Sequence, residues 1–216
     1  MKTLFRQNQL YTFLLYCNDI EIKKEVLDFG AGGNCPPLAI FAEHGYKTHG
    51  IDIDDKQIEL AKEFEVNKRL DLGITKGDMK ELPYEDNSIS FIYSYNSIFH
   101  MSKKEIEKVI KQIKRVLPVG GLTFINFASI HDQRSCVGKC VGEGEYLQME
   151  RGEEILHSFF DDNEAEKYFQ GFDILYKENR VREGRTQNGG KIRLGFIDYI
   201  LEKNRYRWNA IFHKSC

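Results

Sequence analysis

Residues 26–54, VLDFGAGGNCPPLAIFAEHGYKTHGIDID, set an apolar run before a glycine cluster, a helical segment, and a second β-forming run that closes on Asp52. Glycine permits backbone angles and close approaches that side chains forbid, so a glycine cluster directly after a strand marks where a ligand lies against the main chain. A carboxylate accepts two hydrogen bonds at once, so an acid at a strand end suits a vicinal diol. Asp52 stands 22 residues beyond Gly30, about the separation at which dinucleotide-binding folds place their ribose acid. The stretch therefore reads as a βαβ unit with a nucleoside at its carboxyl edge.

The alternation continues on both sides of this unit. Leu10, Phe13, Leu14 and Cys17 recur at helical spacing and predict an amphipathic N-terminal helix. EVLDFG reads as a buried strand, PPLAIFAEH as a helix with prolines in its tolerated first turn, and YKTHGIDI as the second strand. Asp54 can cap the next helix, and LGITKGD and SISFIYSY supply two short strands. Ser102 and Glu105 stand in capping-box spacing ahead of Ile106, Val109, Ile110, Ile113 and Leu117, one apolar helix face, and GLTFINFAS follows as the fifth strand. FDILYKENRV and KIRLGFIDYILEK flank the turn-rich REGRTQNGG as an antiparallel hairpin. The fold class is α/β: a doubly wound, mostly parallel seven-stranded sheet with an antiparallel C-terminal hairpin strand and helices on both faces.

Composition narrows the partners. Thirty-one basic and 33 acidic residues give a net charge of -2, which argues against a polyanion-binding surface and hence against nucleic acid; KNRYRWNAIFHK is the one basic cluster. Five scattered cysteines form no disulfide framework, and the N-terminus lacks a signal-peptide pattern, so a reducing cytoplasm is expected. LYTFLLYC is too short to span a bilayer, so no membrane partner is expected. His131, Asp132, Cys136 and Cys140 lack the paired spacing of a zinc site, so no metal is expected, and Cys35 reads as a small packed residue.

The order strand, LDFGAGGN, helix, strand closing on Asp52, helix, strand closing on GD, strand, helix, RVLPVGG, strand and hairpin resembles the class I S-adenosylmethionine-dependent methyltransferases over about residues 25–203. The resemblance implies S-adenosylmethionine as cofactor and S-adenosylhomocysteine as its product. It assigns Asp28, Gly30 and Gly32 to the methionine part, Asp52 to the ribose hydroxyls, Ile53 to packing beside the adenine, and Asp78 with Met79 to the adenine. It places Ser94, Tyr95 and Asn96, which leave the fourth strand, at the methyl-transfer site. Asn34 replaces the third glycine of the fullest family motif, Ser90 replaces an acid common before the fourth strand, and the proline of RVLPVGG is displaced by one position; these departures bear on subfamily more than on class.

Two rivals stand beside this reading. A nicotinamide-dependent oxidoreductase also uses a glycine turn and a distal acid, but its G-x-G-x-x-G pattern needs a glycine where Cys35 stands. A noncatalytic scaffold that keeps the cofactor fold is the other; the intact set of acids speaks against it, although a fold alone establishes no catalysis. The acceptor is expected to be a small molecule attacked at oxygen, nitrogen or sulfur, with protein substrates left open. Tyr95, His100 and His157 are the candidate catalytic bases. Each has a plain alternative: Tyr95 as core, His100 as a helix cap, His157 as packing, and Asp78 as the acceptor of an Asx turn.

The expected organisation is a single domain over 1–216. It comprises a cap helix (1–20), a cofactor-binding core (25–127), a lid insertion (128–160), a C-terminal helix and hairpin (161–203) and a tail (204–216). Few periodic signals and several glycines make 128–158 read as a long loop, expected to form with the N-terminal helix a movable cover whose His157 faces the acceptor.

Overall fold

The computed structural model describes residues 5, 7–150, 152–185 and 189–204. Most of the basic C-terminal cluster and the middle of the hairpin turn lie outside them.

Strand β1, Glu25–Phe29, is buried along its whole length and sits in the middle of the sheet. On one side it pairs in parallel with β2, Lys47–Asp52, which pairs with β3, Ile74–Lys76; on the other it pairs with β4, Phe91–Ser94, which pairs with β5, Leu122–Ser129. The antiparallel strand β10, Lys191–Lys203, lies against β5, and β9, Phe172–Arg185, lies outside β10. These seven strands, in the order β3-β2-β1-β4-β5-β10-β9, make up the sheet the alternation predicts.

Burial on both faces explains the near-continuous apolar runs of β1, β4 and β5. On one face α4, Lys103–Val116, buries Ile106, Val109, Ile110, Ile113 and Val116 with Leu27, Phe29, Ile92, Ile125 and Phe127. Its start is held by the reciprocal Ser102–Glu105 capping box. On the opposite face α1, Asn8–Asn18, and α2, Leu38–Glu43, pack with α3, Asp55–Lys68, over Val26, Phe91, Tyr93 and Phe124.

Two expectations change. First, α1 is built into the core: the Phe13 ring stacks 5.8 Å from Tyr93 and lies 6.1 Å from both Phe41 and Phe124. Its apolar stripe covers the sheet, and none of its residues is a wall of the main cavity. Second, residues 128–160 are largely strands. After β5 come β6, Lys139–Gly142, β7, Glu145–Glu150, and β8, Glu153–Phe160, an antiparallel meander. β8 then pairs in parallel with the end of β5, Ala128 with Phe159 and Ser129 with Phe160. Ala128 is also paired with Phe196 of β10, so β8 takes the side of β5 that β4 leaves empty beyond Ser94. The meander is thus a wing that continues the sheet past its carboxyl edge. The short helix expected after Asp161 is a 3-10 turn, Glu164–Tyr168.

Because Phe13 is fully buried against Phe41, Tyr93 and Phe124, Phe13→Ala should cost about 3–5 kcal/mol of stability in urea unfolding. A loss below about 1 kcal/mol would show instead that the helix is a loosely docked cover.

Candidate active site

The main cavity opens at the carboxyl ends of β1, β2, β3 and β4, where ligands of open parallel sheets bind. It measures about 450 Å3, and its walls include Gly30, Asp52, Ile53, Asp78, Asn96 and His100.

The floor is built by the turn after β1. Gly30 has φ +71°, and a Cβ there would lie 2.4 Å from Ser97 Oγ, so only glycine fits. The Ser97 hydroxyl donates to the Phe29 carbonyl at 2.9 Å, stitching the loop after β4 to this turn. Gly30 and Ala31 both donate backbone N–H bonds to the Ile51 carbonyl, at 2.9 and 3.1 Å. Gly32 donates to Asp52 Oδ2 at 2.9 Å, and Asp54 donates to Asp52 Oδ1 at 2.9 Å. Each carboxylate oxygen offers two acceptor sites, so Asp52 retains capacity for two further donors in the cavity. Beside it Ile53 is an apolar side chain left 68% exposed, an available flat contact for a ring. Asp78 accepts the Lys80 N–H at 2.8 Å, which is the Asx turn, and also stands in the wall with Met79.

The opposite wall leaves β4. Asn96 takes a left-handed φ of 56°, tolerated by Asn, and exchanges bonds with the fully buried Asn126: its N–H donates to Asn126 Oδ1 at 2.7 Å, and Asn126 Nδ2 donates to Asn96 Oδ1 at 2.8 Å. His100 is exposed into the cavity but packed about by protein. Burial, then His157 and Arg134, lower its pKa to about 4, so the ring is neutral at pH 7. Lys80 donates to Glu105 at 2.9 Å along the rim. That bond, with the Ser102 donors, holds the Glu105 carboxyl down to about 2.

The structure does not bring every expected residue to this wall. Alternation along β4 separates two of them: Ser94 is wholly buried, and Tyr95 turns to the α1 face, where its ring stacks on Tyr93 at 6.3 Å. There Tyr95 lines a neighbouring cavity with Gln9 and Arg180. Asp28 lies one layer beneath the glycine turn; burial and the Asp52 charge raise its pKa well above the carboxylate range, and its Oδ2 has no partner. Gly32 acts through its N–H on Asp52 rather than as a wall. His157 is fully buried on β8 behind His100, with ring centroids 4.6 Å apart, while its neighbour Leu156 roofs the cavity.

Sequence reasoning missed Ser97, Lys80, Glu105, Met101 and Leu156 as walls. Only Glu105 carried a signal, its capping-box spacing, and that pointed to the helix. Asp132 is occupied by Arg134, whose Nε and Nη2 donate at 2.9 and 3.0 Å, and Cys136 receives the Tyr146 hydroxyl at 3.3 Å. Among the described residues no three of His, Cys, Asp and Glu converge to hold a metal ion, and no helix is long and apolar enough to cross a membrane.

A family model described as "Methyltransferase domain" matches residues 27–125, the segment from β1 to β5. Sterol 24-C-methyltransferase of Pneumocystis carinii is 30% identical over 155 residues, 62% of this chain and 40% of that protein. The 27-O-demethylrifamycin SV methyltransferase of Amycolatopsis mediterranei is 32% identical over 98 residues, 44% of this chain and 35% of that one. This chain therefore spans less than half the length of these curated relatives. A solved S-adenosylmethionine-dependent methyltransferase from Methanosarcina mazei superposes with a TM-score of 0.68 at 26% identity, covering 88% of this chain and 97% of that one. Residues 27–125 thus match a methyltransferase domain, and the fold is that of the S-adenosylmethionine-dependent methyltransferases. Likeness to this class implies S-adenosylmethionine binding.

Two outcomes follow from this geometry. Gly30→Ala should lower stability by about 1–3 kcal/mol, because it forces a Cβ into the left-handed region and onto Ser97; an unchanged urea melt would show that the turn relaxes. Glu105 has a folded pKa below its ordinary 4.5, so its charge stabilises the protein above that value and ceases to do so as pH falls through about 2. Glu105→Gln should therefore be less stable than the parent above pH 5, the gap closing between about pH 4.5 and 2 in urea melts. A gap that does not vary with pH would assign the effect to the capping box alone.

Proposed function

We propose that this chain binds S-adenosylmethionine in the main cavity and transfers its methyl group to a small-molecule nucleophile. The observation that carries the reading is the convergence of Gly30, Asp52, Asp78 and His100, from four different strand ends, on one cavity. In this reading Asp52 receives the ribose hydroxyls on the lone pairs that Gly32 and Asp54 leave open. Ile53 and Met79 flank the adenine and Asp78 meets its amino group. The glycine turn lets the methionine part lie against the backbone. Asp28 stands beneath that turn rather than in the wall, its Oδ2 unpartnered and its carboxyl kept protonated by burial and the Asp52 charge; the positive amino end would favour its ionised form.

The cofactor, when bound, supplies an activated methyl group; the chain aligns the acceptor and excludes water. A hydroxyl, thiol or ammonium acceptor must also lose a proton. His100, neutral at pH 7 and in the wall, is the base. Tyr95 faces the neighbouring cavity, where it would contact an acceptor's distal part, and His157 stands behind His100. The curated relatives carry the names of sterol and rifamycin methyltransferases, which favours a small-molecule acceptor and adds carbon to oxygen, nitrogen and sulfur as the attacked atom. A protein acceptor is the less favoured form of the same reading.

Calorimetry tests it. S-Adenosylhomocysteine should bind and NAD or NADP should not; tight binding of a dinucleotide alone would overturn the assignment. Asp52→Ala should weaken S-adenosylhomocysteine binding by about 1–3 kcal/mol, since ribose hydroxyls lose their acceptor. Unchanged affinity in a folded Asp52→Ala protein would remove Asp52 from the ribose site.

A further inference from the structure

A second cavity, of about 510 Å3, lies on the α1 side of the carboxyl edge, walled by Gln9 of α1, Tyr95 and the β9 residues Arg180 and Arg182. The main cavity is its neighbour, since the consecutive residues Tyr95 and Asn96 line one each. Antiparallel pairing sets Arg180 beside Phe196 and Arg182 beside Leu194, so both arginines stand on one face of the hairpin. The Arg180 guanidinium lies over the Phe196 ring, 4.7 Å from its centroid.

Arg180 is held from behind. Its Nε and Nη2 donate to Asp198 at 2.9 and 3.2 Å, and Asp198 is fully buried on β10, with Gln9 facing it from α1. That pair uses one edge of the guanidinium. It leaves Nη1 and the outer Nη2 hydrogen, which point away from the buried acid and have no partner among the described residues. A hidden carboxylate thus fixes the arginine, and the free end of its fork matches a second oxyanion, planar or tetrahedral.

The surrounding charge favours such a ligand. Arg182 is exposed and forms no ion pair among the described residues. The hairpin gathers Arg180, Arg182, Arg185, Lys191 and Arg193 with one acid, Glu183, in a chain whose net charge is -2. Glu183 stands at the rim, but alternation along β9 turns its side chain to the opposite face, where it is paired across the hairpin with Arg193. Glu178 takes the Tyr176 hydroxyl at 2.9 Å and is not a wall of the cavity.

We propose that this second cavity is an anion site that holds a carboxylate or phosphate group of the methyl acceptor, gripped by the free end of Arg180 and by Arg182 beside the Tyr95 ring. The proposal deepens the methyltransferase reading and rests on it for the role of the ligand: the anion anchors a molecule whose nucleophile enters the main cavity past Asn96. A neutral molecule of the same shape leaves the guanidinium donors unpaired and is bound less well.

The test is NMR of the full chain saturated with S-adenosylhomocysteine, following the Arg180 Nε–H signal, which its bond to buried Asp198 shields from exchange. Arg180→Lys keeps a charge beside Asp198 and removes that signal, which assigns it. Benzoate and inorganic phosphate are the probes, and benzamide is the neutral counterpart of benzoate. At least one anion should shift the signal saturably, and benzamide should not. A response to benzoate alone makes the bound group a carboxylate, and a response to phosphate alone makes it a phosphate. Arg182→Gln should weaken anion binding about tenfold, as a charge-assisted bond is lost. It should leave S-adenosylhomocysteine affinity unchanged, since Arg182 is not a wall of the main cavity. No shift with either anion, an equal response to benzamide, or anion binding that Arg182→Gln leaves intact overturns the proposal. Failure of the parent chain to bind S-adenosylhomocysteine would instead overturn the methyltransferase reading, and the same titration of the free chain would still decide the anion site.

Discussion

The Asp52 carboxylate is the joint on which the carboxyl edge of the sheet depends. One oxygen takes the Gly32 N–H and the other the Asp54 N–H, so a single side chain at the end of β2 ties the turn after β1 to the residue that caps α3. Hydrogen bonds to an ionised acceptor are each worth roughly 1.5–3 kcal/mol, enough to hold a glycine-rich turn in one shape despite its large conformational freedom. The Ile51 carbonyl reinforces the joint by accepting from both Gly30 and Ala31. With the turn fixed, Ser97 can close over Gly30, and the segment after β4 gains its place as the opposite wall. The lone pairs of Asp52 that these N–H groups leave open are the ones the proposed ribose contact uses.

The second constraint is the alternation of a sheet buried on both faces. Successive residues of β4 must go to opposite sides, so Tyr93 and Tyr95 join the aromatic stack beneath α1 while Ser94 enters the sheet's interior on the other side. None of these can be the wall directly above the strand end. That position falls to Asn96, Ser97 and His100, and Asn96 reaches it only because the buried Asn126 of β5 satisfies its backbone and side chain together. The aromatic stack has a further effect: it makes α1 a core element, which leaves the cavity's cover to another part of the chain.

That part is the wing. β8 occupies the flank of β5 vacated by β4 and is bonded to the loop below it, with the Ser158 N–H on the Phe99 carbonyl at 2.9 Å and its hydroxyl on the Met101 carbonyl at 2.6 Å. The roof over the cavity is thus hydrogen-bonded to the wall that carries His100. Placing Leu156 at the cavity and His157 behind it is a consequence of the same register, since neighbours on a strand face opposite ways.

Much of this was legible in the sequence, and the division has a physical cause. The succession of seven strands and most of the helices along the chain, with the positions of Gly30, Asp52 and Asp78, follow from local signals: apolar runs, capping residues, a glycine turn and an acid at a fixed distance. These are properties of neighbours along the chain. The wing was not legible because β6 is exposed nearly throughout and β7 only partly buried, so neither shows the alternation that marks a strand with one face in a core. Which of Ser94, Tyr95, Asn96 and Ser97 would meet the cavity was equally hidden, because strand parity and the Asn126 contact decide it. By itself the sequence determined the class of fold and the acids along its edge. The tertiary structure decided which side chains share the cavity and that His157 stands behind His100, because those placements depend on pairings between segments far apart in the chain.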